Sequence, residues 1–433
     1  MDWRIEDERL RKTAGLPPFS ITESTDRDYH LVNLETTIST APDQQVVTVG
    51  TLQKSWIANN RCYFTYQTDK PIRFMFALSS ARYQVKTENH KGITLRVYYQ
   101  AGHEQNVKTM FRAIKDALDY GSDNFSPYPL KQFALAEIPQ YKGAATAYMG
   151  VVFNAERINY LTDFSDENKV NQSYAITAHE VAHQWWANQL APVDGPGAPM
   201  LTESLAKYTE AVLLEKNFGK MYLSNYLKDD NNIYFLNQDP NEKEFPLAQT
   251  YQQNHVHYQK GGLAMYAAKE ILGEEAVNQT LRNLIAQHEN PNPKAKPEDL
   301  IAALYQLAPA NQKKFIDDSF HQVVTYQLNV KVLACKAIEN GKYKVDLQVG
   351  SAEHKQGVDK LLKPDMDIDL AFFDQADLDW NKNTKPIYFK KIRFDQQETK
   401  LSIVLDKKPK AVAIDPYGYL LDGNLADNIQ TIK

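Results

Sequence analysis

Two histidines four residues apart, His179 and His183, enclose Glu180, and the stretch Ala191–Pro199 that follows holds three prolines and two glycines. No other stretch of the chain constrains its fold as tightly. From Tyr174 to Trp186 no glycine or proline interrupts the sequence, which predicts a helix. Positions four apart on a helix share a face, so both imidazoles can address one point. The motif is expected in mid-helix. The Pro/Gly stretch cannot continue that helix and reads as a loop. A second helix is predicted from about Met200, and a helix–loop–helix return brings its Glu203 back beside the histidines.

Two imidazoles and a carboxylate form the donor set of a catalytic zinc, which takes three protein ligands and keeps a fourth position open. His179, His183 and Glu203 are therefore the expected ligands of one Zn²⁺ ion. Glu180 reaches the edge of the same site, where a carboxylate can take a proton from water and later deliver it to a leaving amine. Glu210, seven residues beyond Glu203, is the competing ligand candidate. Its apolar neighbours point to a supporting role instead. His103-Glu104-Gln105-Asn106-Val107 begins a similar motif but has valine where the second histidine is needed.

The hydrophobic period changes along the chain. Residues 1–27 are polar and read as a tail or linker. Over 28–101 the pattern is β: Ile93, Leu95, Val97 and Tyr99 alternate with polar residues. Over 102–322 it is mostly helical, beginning with Val107, Met110, Phe111, Ile114 and Leu118 at three- and four-residue spacing. Over 323–433 alternation returns, and Asn340-Gly341 between two alternating runs signals a hairpin. The expected class is α+β multidomain, with an N-terminal β region, a helical middle and a C-terminal β-sandwich.

Composition excludes several functions. At 433 residues, with 43% hydrophobic and 24% charged side chains, the chain can bury a large core without disulfides. Its two cysteines, Cys62 and Cys335, lie far apart outside any Cys/His cluster and read as buried thiols. The net charge of −5 and the lack of a basic run argue against nucleic acid as a partner. No apolar stretch is long enough for a membrane span, and the charged start lacks the apolar region of a signal peptide. As given, the chain reads as soluble, and its abrupt polar start is consistent with a domain cut from a longer protein.

At His179–Glu203 the sequence resembles the aminopeptidase N family of gluzincin metallopeptidases, whose motif continues as His-Gln-Trp, here His183-Gln184-Trp185-Trp186-Ala187-Asn188. The 19 residues between His183 and Glu203 are one more than the family's usual spacing and match that of thermolysin-like enzymes. His257-Tyr258-Gln259-Lys260-Gly261-Gly262 resembles the family's Tyr-x-Lys-Gly segment. That resemblance implies a thermolysin-like catalytic domain over 102–322 and a transition-state hydrogen bond from Tyr258. The family's Gly-x-Met-Glu-Asn strand, whose glutamate holds a substrate's amino group, is not intact over Ala144–Arg157, where Glu156 is the best-placed carboxylate. The first β region is also shorter than the family's. The closest likeness is to the peptidase-like module joined to bacterial ABC transporter permeases, which implies a membrane-transporter parent chain.

The leading expectation is a zinc metallopeptidase acting on peptide substrates, an aminopeptidase with Glu180 as general base and acid. Two alternatives stand beside it: a thermolysin-like endopeptidase, and a non-catalytic peptidase-fold module of a membrane transporter.

Overall fold

The computed structural model describes residue 15 and residues 30–139, 145–166, 169–289, 293–376 and 384–432. Apart from Gly15, the tail expected over 1–27 lies outside them. Near the N-terminus, Glu35–Thr40, Arg61–Gln67 and Thr51–Ala58 form a three-stranded antiparallel sheet in that order. It closes over a small core of Val46, Phe64 and Tyr66.

The next sheet positions the site. It contains β1 (Gln84–His90), β2 (Ile93–Tyr99), β3 (Gln132–Ile138), β4 (Ala145–Tyr148) and β5 (Val151–Ala155), in the order β4-β5-β3-β2-β1. Strands β2, β3 and β5 are parallel, whereas β1 and β4 run antiparallel at the two edges. Leu95, Val97, Phe133, Leu135 and Val152 face the helices, and Tyr98, Ala134, Ala136 and Phe153 face the N-terminal strands. Burial on both faces explains why β3, Gln-Phe-Ala-Leu-Ala-Glu-Ile, carries a nearly continuous apolar run. Strands β1 and β2, grouped by alternation with the N-terminal β region, pair instead with β3 in this second sheet. Alternation identifies a strand but carries no information about its partner.

Among the helices of the middle of the chain, those nearest the site are α1 (Val107–Asn124), α2 (Gln172–Ala182), α3 (Leu205–Phe218), α4 (Lys220–Leu236) and α5 (Gly261–Leu272). Helix α1 buries Met110, Phe111, Ile114 and Leu118 at the predicted spacing. It also approaches Trp185 closely: a Cβ at Gly121 would lie 2.4–2.6 Å from the indole ring. Trp185 is fully buried between α1 and the site, so it cannot move aside. Gly121→Ala is expected to destabilise the fold by about 1–3 kcal/mol, read as a lowered denaturation midpoint at unchanged slope.

In the C-terminal region, Val324–Ala337, Tyr343–Lys355 and Glu398–Leu405 form one antiparallel sheet. Met366–Phe373, Tyr388–Phe394, Ala411–Ile414 and Ile429–Thr431 form another. Asn340 and Gly341 turn the predicted hairpin with φ of 61° and 71°, the left-handed region those two residue types tolerate. This region docks on α4, where the Asn231 carboxamide exchanges two hydrogen bonds with the backbone of Asp422. Cys62 and Cys335 are unpaired and partly exposed rather than buried. Among the described residues no helix is long and apolar enough to cross a membrane.

Candidate active site

Helix α2 starts where the Asn171 side chain accepts the Tyr174 amide, and it ends at Ala182. The His-Glu-x-x-His segment therefore occupies the last turn, not the middle of a longer helix. Packing is the reason. Trp185 and Trp186 are both completely buried, with their indole N–H groups on the Ser126 carbonyl and the Thr209 hydroxyl. Reaching those partners takes the chain off the helical path. Ala187 adopts φ of 103°, and the Asn188 carboxamide donates to the His183 carbonyl left open by the helix end.

Glu203 approaches from a different kind of element. Met200–Ser204 is a single π-helical turn leading into α3, and Val256–Lys260 is a second such turn leading into α5. The Ser204 hydroxyl donates to the His257 carbonyl at 2.6 Å, tying the two turns together. A Cβ at Gly261 would fall 2.0 Å from Ser204 Oγ, and one at Gly262 would fall 3.0 Å from Lys207 Cβ. The two glycines after Lys260 thus allow close approach of α5 to α3. π-turns reorient side chains within otherwise regular helices, and here the two carry Glu203 and Tyr258.

The donors converge. Glu203 Oε2 lies 3.4 Å from His179 Nε2 and 3.3 Å from His183 Nε2. The far nitrogens are engaged elsewhere. His183 Nδ1 is 2.9 Å from the Trp186 carbonyl, and His179 Nδ1 is 3.2 Å from Glu210 Oε2. Both of those partners only accept, so each Nδ1 carries hydrogen and each ring turns its Nε2 toward Glu203. Ligand atoms about 2.0–2.2 Å from a tetrahedral zinc are about 3.3–3.6 Å apart from one another. The separations of Glu203 from the two Nε2 atoms fit that ion. Glu210, the competing candidate, reaches the opposite nitrogen of His179 and so orients the ring from behind.

Electrostatics favour a cation at the same point. Burial resists charging His179, but hydrogen bonds to Glu203 and Glu210 outweigh it and push its pKa up to about 10. Burial likewise resists ionisation of Glu203, yet the two imidazoles hold its carboxyl well below the ordinary range. Glu180, buried beside them, has its carboxyl pushed up by desolvation. Its ligand atom and those of His179 and His183 all lie within 4.8 Å of one another. Burial raises the Tyr258 phenol, which keeps it a neutral donor, and its ring stacks on His179 at 5.9 Å.

These groups open onto a cavity of about 430 Å³, within the range of small-molecule and peptide sites. His179, Glu180 and Tyr258 line it, together with Ala145 of the edge strand and Lys207, Glu210, Tyr226, Asp229 and Asp230 on α3 and α4. Glu156 is not among the lining residues. The Gln184 side chain bonds Gly150 and Tyr148 just before β5, whereas Asn159, just past Glu156 at the other end of β5, bonds Thr177 in the middle of α2. Glu156 clusters instead with His103 and Glu137. The sequence reading also missed the buried network at Lys207, whose ammonium is 2.9 Å from Asp230 and 3.6 Å from Glu210. Lys207 lies four residues after Glu203, and that helical spacing was the available signal.

Comparison with known proteins bears on the family and the fold. Residues 109–322 match the family model described as the Peptidase family M1 domain. Aminopeptidase M1 of Arabidopsis thaliana is 26% identical over 232 residues, covering 51% of this chain and 26% of the relative. Human endoplasmic reticulum aminopeptidase 1 is 25% identical over 239 residues, covering 52% of this chain and 25% of its own length. The chain thus spans about a quarter of the length of these curated relatives. Among solved structures, Legionella pneumophila aminopeptidase A in complex with aspartic acid superposes with a TM-score of 0.57 at 16% identity. That match covers 90% of this chain and 44% of the other. The M1 zinc metallopeptidase from Deinococcus radiodurans gives 0.52 at 17% identity, covering 68% of this chain and 64% of its own. These two likenesses concern the fold.

Proposed function

Because residues 109–322 form a Peptidase family M1 domain, we propose that the protein is a zinc metallopeptidase that removes N-terminal residues from peptides. The observation that carries this reading is the convergence of the Nε2 atoms of His179 and His183 on one Glu203 oxygen, at 3.4 and 3.3 Å, beside Glu180. His179, His183 and Glu203 would hold one zinc ion, which supplies Lewis acidity toward a water and the scissile carbonyl. Glu180 takes the proton of the attacking water and returns it to the departing amine. Tyr258 donates its hydroxyl hydrogen to the oxygen of the tetrahedral intermediate. Glu210 and the Trp186 carbonyl fix the ring tautomers. Glu210→Gln is expected to weaken zinc affinity by about 10–100-fold, measured by competition with a chromogenic chelator.

Exopeptidase action rests on the relatives, both of which are named as aminopeptidases. A specific observation favours endopeptidase action as the second reading. The edge strand Ala145-Thr146-Ala147-Tyr148 carries no carboxylate, and Glu156 lies outside the cavity. One peptide assayed with its N-terminus free and acetylated separates the two. Cleavage of the free form alone supports the aminopeptidase, and equal cleavage of both forms identifies an endopeptidase. A zinc-loaded protein that cleaves neither form, nor any member of an aminoacyl-fluorophore panel, would overturn both.

A further inference from the structure

Asp229 differs from every other acidic group around the cavity. Glu210 and Asp230 are tied to Lys207, Tyr226 and His179, and Glu180 sits beside the two histidines. Asp229 lines the same cavity, is exposed, and has no hydrogen bond or ion pair among the described residues. Burial alone acts on it, and it pushes the carboxyl up. Its carboxylate is therefore free to meet a cation brought into the cavity from outside the chain.

Its surroundings fit a particular kind of cation. Tyr226, Asp229, Asp230 and Ile233 fall on one face of α4, and all four line the cavity. Across from them, α2 contributes Ile176, one turn before Glu180. Ile233 keeps 40% of its surface exposed despite being apolar. Two aliphatic walls with a carboxylate one turn away suit a side chain with an alkyl stem and a charged tip.

Resting on the proposed peptidase activity, we infer that Asp229 selects substrates with a lysine or arginine next to the scissile bond: the alkyl stem lies between Ile176 and Ile233, and the charged tip pairs with the Asp229 carboxylate. Asp229 is then a specificity residue, distinct from the groups that perform hydrolysis.

The test compares peptides identical except for lysine, norleucine or glutamate on either side of the scissile bond. Zinc-loaded wild type is expected to favour lysine over norleucine by about tenfold or more in kcat/KM. In Asp229→Asn that ratio should fall to near one, and Asp229→Lys should favour glutamate. A wild-type ratio near one, or a lysine preference that survives in Asp229→Asn, overturns the assignment. If no peptide is cleaved, the peptidase reading fails, and the comparison passes to binding of labelled lysine and norleucine peptides by fluorescence anisotropy. A similar lysine preference that Asp229→Asn abolishes keeps Asp229 as the cation contact. Equal affinities exclude it.

Discussion

Glu180→Gln is expected to lower kcat by about 10²–10⁴-fold, the range of a lost general acid–base group, while zinc content stays at one ion per chain. The substitution preserves shape and removes only the capacity to accept a proton. Glu180 is buried, adjoins both imidazoles and stands apart from the Nδ1 contacts that set their tautomers. The variant should therefore fold, bind zinc and fail at proton transfer. Mass spectrometry of the metal, together with steady-state kinetics on an aminoacyl substrate, checks both halves. Hydrolysis within about tenfold of wild type would remove Glu180 from the mechanism.

Tyr258→Phe should show the second largest effect, a fall of about 10²–10³-fold in kcat with KM little changed. Phenylalanine keeps the ring that stacks on His179, so packing and metal binding persist. What is lost is one hydrogen bond that matters most when the carbonyl oxygen becomes an oxyanion. An effect confined to KM would instead make Tyr258 a binding residue.

The sequence disclosed those parts of the site that depend on helical spacing. His179 and His183 needed only a four-residue interval, and the Pro/Gly stretch Ala191–Pro199 announced the chain reversal that returns Glu203. Tertiary packing decided the rest. Nothing local ends α2 at Ala182: the burial of Trp185 and Trp186 does so. The two π-turns leave no signature in hydrophobic period, yet they hold Glu203 and Tyr258. Position along the chain singles out Glu156 but does not reveal that its carboxylate clusters with His103 and Glu137. Asp229 carries no motif or spacing signal, and only the cavity it shares with Ile176 and Ile233 sets it apart.

Strand β4 closes one side of the central sheet, pairing among the described residues with β5 alone, and its Ala145 lines the cavity. Its outer rank of amides and carbonyls is a template for another extended backbone. A peptide laid there would be held through its main chain, whatever its side chains. Such a grip is blind to sequence and demanding about shape: helices and tightly folded segments cannot take part, since their own amides and carbonyls are already committed. Discrimination between residues must come from the wall across the cavity, where α4 stands. One side of the cleft would test whether a chain is unfolded, and the other would read what it contains.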